Sequence, residues 1–230
     1  MKIIGACLTL CLLLAVGGMI ATRDLHLAAA SPNAAIAADV PALHRAALAG
    51  DLGRVERLLA EGVPVDVRDP SGNTALHPAA SMGHVETARR LIEAGTKVDS
   101  LNALAFTPLH QAAAFGQIKV AELLIERGAD VDARQQQGAS PLHLAAMGGQ
   151  GGLVELLLSA GAEVDARNDK DATPLDLAVL MGEAAVVGQL LDRGAALSGD
   201  TGSGQSPLAL ARELGHDEVV AVLAQYSVTD

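Results

Sequence analysis

The chain has 230 residues and a formal net charge of -11 at pH 7, with no run of Lys or Arg, so it repels phosphate backbones and nucleic acid is excluded as a partner class. Half of it is apolar, yet it holds no Trp, one Tyr and two Phe, which leaves Ala, Leu and Val to form closely packed thin helices rather than an aromatic-filled core. Its only cysteines, Cys7 and Cys11, lie in the N-terminal apolar run, so the rest of the chain has neither a disulfide framework nor a cysteine-based zinc site.

The N-terminus reads Met1-Lys2 and then "IIGACLTLCLLLAVGGMI", without a charge from Ile3 to Ile20; Arg23 and Asp24 follow. One Lys, an apolar run and small residues form the pattern of an export signal. At about 1.5 Å per residue the run reaches about 27 Å, so it equally suits a retained anchor with Lys2 on the cytoplasmic side. Candidate cleavage sites are Ala15-Val16-Gly17, Ala28-Ala29-Ala30 and Ala35-Ile36-Ala37. We therefore expect a signal peptide or membrane anchor over residues 1–22. An Ala-rich flexible linker is expected over residues 23–38. Any membrane contact would run through residues 3–20 only.

From residue 39 the chain repeats itself. Thr74, Thr107, Ser140, Thr173 and Ser206 stand 33 residues apart, and the same step backwards reaches Pro41. Gly50, Gly83, Gly116, Gly149, Gly182 and Gly215 keep that register, as do Gly62, Gly95, Gly128, Gly161 and Gly194. Each unit predicts a short Ala-rich helix, capped by Thr or Ser with Pro at its first position and stopped by Gly. A second helix such as "VAELLIERG" follows, then an extended "ADVDAR" segment that turns toward the next unit. Paired apolar residues (Leu58-Leu59, Leu91-Ile92, Leu124-Ile125, Leu157-Leu158, Leu190-Leu191) recur in the second helices, and one helix pair cannot bury them alone. Units therefore start near residues 41, 74, 107, 140, 173 and 206, with a C-terminal tail at 227–230. Polar Arg45, Arg54, Glu56 and Arg57 mark the first unit as a cap, and the last unit lacks a closing Gly-Ala-Asp segment.

The Thr-Pro-Leu-His-x-Ala-Ala pattern, as in "TPLHQAAAFG" and "SPLHLAAMGG", together with the 33-residue period resembles the ankyrin repeat. The resemblance covers about residues 39–226. It implies an all-α solenoid of stacked helix-turn-helix units with β-hairpin or turn fingers. It also implies protein binding through the finger tips and the concave face of the first helices. The N-terminal signal in front of a short array resembles bacterial exported ankyrin proteins, which places the repeats outside the cytoplasm, periplasmic or anchored to the inner membrane.

His44, His77, His110 and His143 stand one per unit. Stacked helices lie about 8–10 Å apart, too far for one zinc ion whose ligands sit about 2.0–2.1 Å away. His84 and His216 after the Gly turn, and Asp66, Asp99, Asp132 and Asp165 in the connectors, likewise read as structural, the aspartates through turn hydrogen bonds. Neither a catalytic cluster nor a phosphate loop is present, and "TGSGQS" at Thr201 lacks the phosphate-loop Lys. The expectation is no enzyme, no cofactor and no metal.

What varies between units points to partner binding. The two positions before each first-helix Gly are apolar in most units, including Met82, Phe115, Met147 and Met181. One tip, "SLNALAFT", carries Leu101, Leu104 and Phe106, and Ala105 where most tips have Gly, which suggests a differently shaped tip. Arg68, Asn73, Arg134, Gln136, Asn168 and Lys170 form the expected polar rim. Pro78, inside the second unit's first helix, is expected to loosen or bend that unit. The leading expectation is a monomeric, non-catalytic protein-interaction module. The alternatives are a secreted effector acting in another cell, and an enzyme or small-molecule binder on a solenoid, which would need an enclosed polar pocket.

Overall fold

The computed structural model describes residues 42–197 and 205–226. The expected signal or anchor, the linker and the tail lie outside these residues. The described chain forms six helix pairs. First helices cover 42–49, Leu76–Ser81, Pro108–Ala114, Pro141–Met147, Pro174–Met181 and Pro207–Leu214. Second helices cover Leu52–Ala60, Val85–Glu93, Ile118–Glu126, Gly151–Ser159, Ala184–Asp192 and Asp217–Tyr226. First helices stack on first helices and second helices on second helices along the row.

Each helix is too short to hold alone in water, where about 12–15 residues are marginal. Stacking supplies what length does not. Leu43, Leu76, Leu109, Leu142 and Leu175, one per unit, are fully buried between first helices. In the paired apolar positions the first member (Leu91, Leu124, Leu157, Leu190) is fully buried, while Ile92, Ile125 and Leu158 are half-buried beside it. A fully buried Leu contributes about 1.5–3 kcal/mol, so every joint depends on residues from both units that form it. Ala79-Ala80, Ala112-Ala113 and Ala145-Ala146 are fully buried and let the first helices approach. Arg45, Arg54, Glu56 and Arg57 in the first described pair, and Asp217 and Glu218 in the last, face solvent.

Thr107, Ser140 and Thr173 cap their helices with Pro behind them, and His110, His143 and Asp176 complete reciprocal capping boxes. The second unit differs. Its helix begins only at Leu76, because Pro78 offers no N–H to the Thr74 carbonyl. That carbonyl accepts from His77 N–H at 3.1 Å instead. The expected loosening or bend is absent from the packing: Ala75, Leu76, Ala79 and Ala80 are fully buried.

The expected β-hairpin fingers are turns among the described residues. Gly72 N–H donates to the Asp69 carbonyl, and Asp69 N–H to the Asn73 carbonyl, both at 2.9 Å, which closes the tip without a strand ladder. Consecutive tips share one backbone bond each: Ala103 N–H to Ser71 O (2.9 Å), Gln136 N–H to Leu104 O (3.1 Å) and Asp169 N–H to Gln137 O (3.0 Å). One bond per tip spaces the turns but is too sparse to make strands. Ala105 does not reshape its tip. It takes the left-handed conformation of its glycine counterparts, φ 59° against 76° at Gly72 and 73° at Gly138.

Candidate docking surface

The polar groups that recur are spent on holding units together. His77, His110 and His143 accept the backbone N–H of Thr74, Thr107 and Ser140 at Nδ1, at 3.1–3.2 Å. An Nδ1 that accepts leaves the ring proton on Nε2, which donates to the carbonyls of Phe106, Ala139 and Ala172, each the last residue before the next unit's cap, at 3.0–3.1 Å. His44 makes the same bond, to Asn73 O just before the second unit's cap, at 2.8 Å. Burial holds the neutral ring of His77 and His110 down to a pKa of about 4 and lowers that of His143. His84 and His216 donate backwards to Leu48 O and Leu180 O, and Gln117 does the same to Ser81 O. Both ring nitrogens of His77, His110 and His143 are thus engaged, and no group of three or more His, Cys, Asp or Glu able to hold a metal lies among the described residues.

The connector aspartates also reach across joints rather than into their own turns. Asp66, Asp99, Asp132 and Asp165 accept the backbone N–H of Lys97, Asp130, Glu163 and Ala196 at 3.0–3.3 Å. Desolvation raises the pKa of Asp99, partly countered by the Asp130 N–H.

The proposed polar rim divides on this point. Arg68 donates to Gly72 O of its own tip and to Leu101 O of the next unit, and Arg134 does the same to Gly138 O and Arg167 O. These two guanidiniums clasp adjacent units, although both side chains remain exposed. Asn73 bridges Asp69 and Asn102, and Asn168 accepts Lys170 and Ala172 N–H inside its own tip. Gln136 and Lys170 are exposed.

The apolar candidates divide too. Met82 is 52% exposed and Leu101 47%. Leu104, Phe106, Phe115, Met147 and Met181 are half-buried. Phe106 packs on the core and meets the His110 ring edge-on with centroids 5.6 Å apart, and Met147 also packs on the core. Leu48 and Leu180, at the same first-helix position in the first and fifth units, are 39% and 41% exposed. From Ser81-Met82 through Met147-Gly148 to Leu180-Met181 the two positions before each Gly carry no ionisable side chain.

Two features escaped the sequence reading. Leu101 stands in the register of Arg68, Arg134 and Arg167, so an exposed apolar residue replaces a clasp arginine; alignment of the units at that position would have revealed it. Ile118, 40% exposed, opens the third unit's second helix beside Gly152, where an added Cβ would lie 2.6 Å from its Cδ1. The Gly151-Gly152 pair in place of side chains was the available signal.

No helix among the described residues is long and apolar enough to cross a membrane; residues 3–20 are not among them. A family model described as ankyrin repeats (3 copies) matches residues 43–135 and 128–200, more than half of the chain. No curated protein matches the chain.

Proposed function

The chain belongs to the ankyrin repeat family, an all-α stack of helix pairs that serves as a non-catalytic protein-interaction scaffold, and from that premise we propose that it binds another protein through its first-helix stripe and neighbouring tips. The observation that carries this reading is the exposure of Met82 and Leu101 in a molecule whose recurring polar groups are occupied at the joints. An exposed apolar patch edged by polar residues suits partner docking, and Met82 gives it adaptability. Rigid stacking lowers the ordering cost of binding. The pair at 207–226 keeps the 33-residue register beyond the family match, so we count six repeats.

The apolar run at 3–20 supports export, by a cleaved signal or a retained anchor, with the array on the far side of the inner membrane as in bacterial proteins of this kind. The test is capture of partners by the folded repeats, comparing the unaltered chain with Met82→Asp, Leu104→Asp and Phe115→Asp. Loss of the same partner in the variants, with the helical spectrum unchanged, supports the stripe. Equal capture by all four proteins removes it. Fractionation of expressing cells separates anchored, periplasmic and cytoplasmic locations.

A further inference from the structure

We propose that the buried histidine row makes the joints between the second and fifth units acid-labile, so that the middle of the stack opens at its unit boundaries in acid while the last joint does not respond by this route. At each of His77, His110 and His143, Nδ1 faces two potential donors, the cap residue's N–H and its hydroxyl. The hydroxyl distances are 3.1, 2.8 and 2.9 Å. A second ring proton would land on Nδ1, against an N–H that cannot turn away. The ring must then leave the cap, and its Nε2 bond to the residue just before the next unit's cap leaves with it. One protonation therefore breaks a helix cap and the tie to the segment that enters the next unit.

The groups around each ring do not offset this. His77 faces Arg68, which opposes a proton, and Asp69, which favours one, besides Thr74 and the Phe106 carbonyl. His110 faces Asp130, which favours a proton, and His143, which opposes it, with the Ala133 and Ala139 backbone and the Phe106 ring alongside. His143 faces Arg134, which opposes a proton, and the Ala166 and Ala172 backbone. Burial is the largest influence at all three and acts in the same direction.

The fifth unit supplies an internal contrast. Asp176 occupies the histidine position and accepts from Thr173 N–H and Oγ1 at 2.8 and 2.9 Å. It has no imidazole to charge. Burial raises its pKa, so acid favours its neutral form in the fold rather than expelling it.

A histidine whose folded pKa lies below its unfolded value stabilises the fold above the unfolded pKa, and that stabilisation fades as pH falls toward the folded one. With about 4 folded and 6.5 unfolded, the unfolding equilibrium constant rises about 30-fold between pH 7.5 and pH 5 for each of His77 and His110.

The experiment uses the unsubstituted chain first. Long-range proton–nitrogen NMR of the histidine rings reports tautomer and titration, and urea unfolding at pH 7.5 and 5 reports stability. We expect the Nε2–H tautomer at neutral pH, titration well below 6.5, and a lower urea midpoint at pH 5. Amide protection factors, corrected for the intrinsic slowing of exchange in acid, should fall at Thr74, Thr107 and Ser140 before they fall in residues 217–226. His110→Gln keeps an acceptor and a donor but does not titrate, and should remove about 30-fold from the pH dependence. Ring titration near 6.5 in the folded chain, an unchanged midpoint at pH 5, or an unaltered pH dependence in His110→Gln would each overturn the proposal.

Discussion

Substituting Gly83 by Ala separates what a repeat's own backbone requires from what its neighbour requires. Gly83 ends the second unit's first helix at φ +74°, and an added Cβ would lie 2.2 Å from Oε1 and 2.9 Å from Cδ of Gln117 in the next unit. Gln117 cannot stay, and its Nε2 donates to Ser81 O at 3.2 Å across the joint. Left-handed backbone costs an Ala about 1–2 kcal/mol. The stiffer unfolded chain returns about 0.4–1 kcal/mol of that. Loss of the cross-unit hydrogen bond adds about 1 kcal/mol, giving about 2 kcal/mol in total. Gly128 is the control: φ is +84° and nothing lies within 4 Å of an added Cβ, so Gly128→Ala should cost only about 1 kcal/mol. Gln117→Ala alone should cost about 1 kcal/mol, and combined with Gly83→Ala about 2 rather than 3. The assay is urea unfolding followed by circular dichroism at neutral pH, since the chain has no Trp. Equal costs at Gly83 and Gly128, or additive behaviour of Gly83→Ala and Gln117→Ala, would refute the claim that the neighbouring unit sits on this glycine.

Thr96 is buried with an unpartnered Oγ1, at the position that other units give to Val63, Ala129, Ala162 and Ala195. Thr96→Val should stabilise by about 1 kcal/mol, read as a thermal midpoint about 2–4 °C higher. Ala105→Gly should stabilise by about 0.5–1 kcal/mol by releasing the left-handed strain at φ 59°, and a lower urea midpoint would contradict that reading of the tip.

The architecture was legible because the physics that builds it is local and repeated. Thr107-Pro108 fixes a helix start, Gly116 fixes its end, and the 33-residue register shows that Leu91, Leu124 and Leu157 must meet one another. The tips were less legible. Asp66 and Asp99 look like turn formers by residue type, yet their partners lie 31 residues away, and spacing within one unit does not show this. Arg68 and Arg134 read as rim charges for the same reason, since a guanidinium on a loop gives no sign that two carbonyls are in reach. Exposure was the least accessible property. Met82 and Phe115 occupy the same repeat position, but one is open and the other half-buried, which the residue type at that position does not reveal.

The proposed binding uses residues that the stacking leaves uncovered. Leu101→Arg tests it most directly, because it restores the side chain used at Arg68, Arg134 and Arg167 and so should preserve or slightly raise stability. Calorimetric titration of the captured partner should then show Kd about 10-fold weaker, the loss of roughly 1.4 kcal/mol of apolar contact. An unchanged Kd with an intact fold would contradict the assignment of this surface.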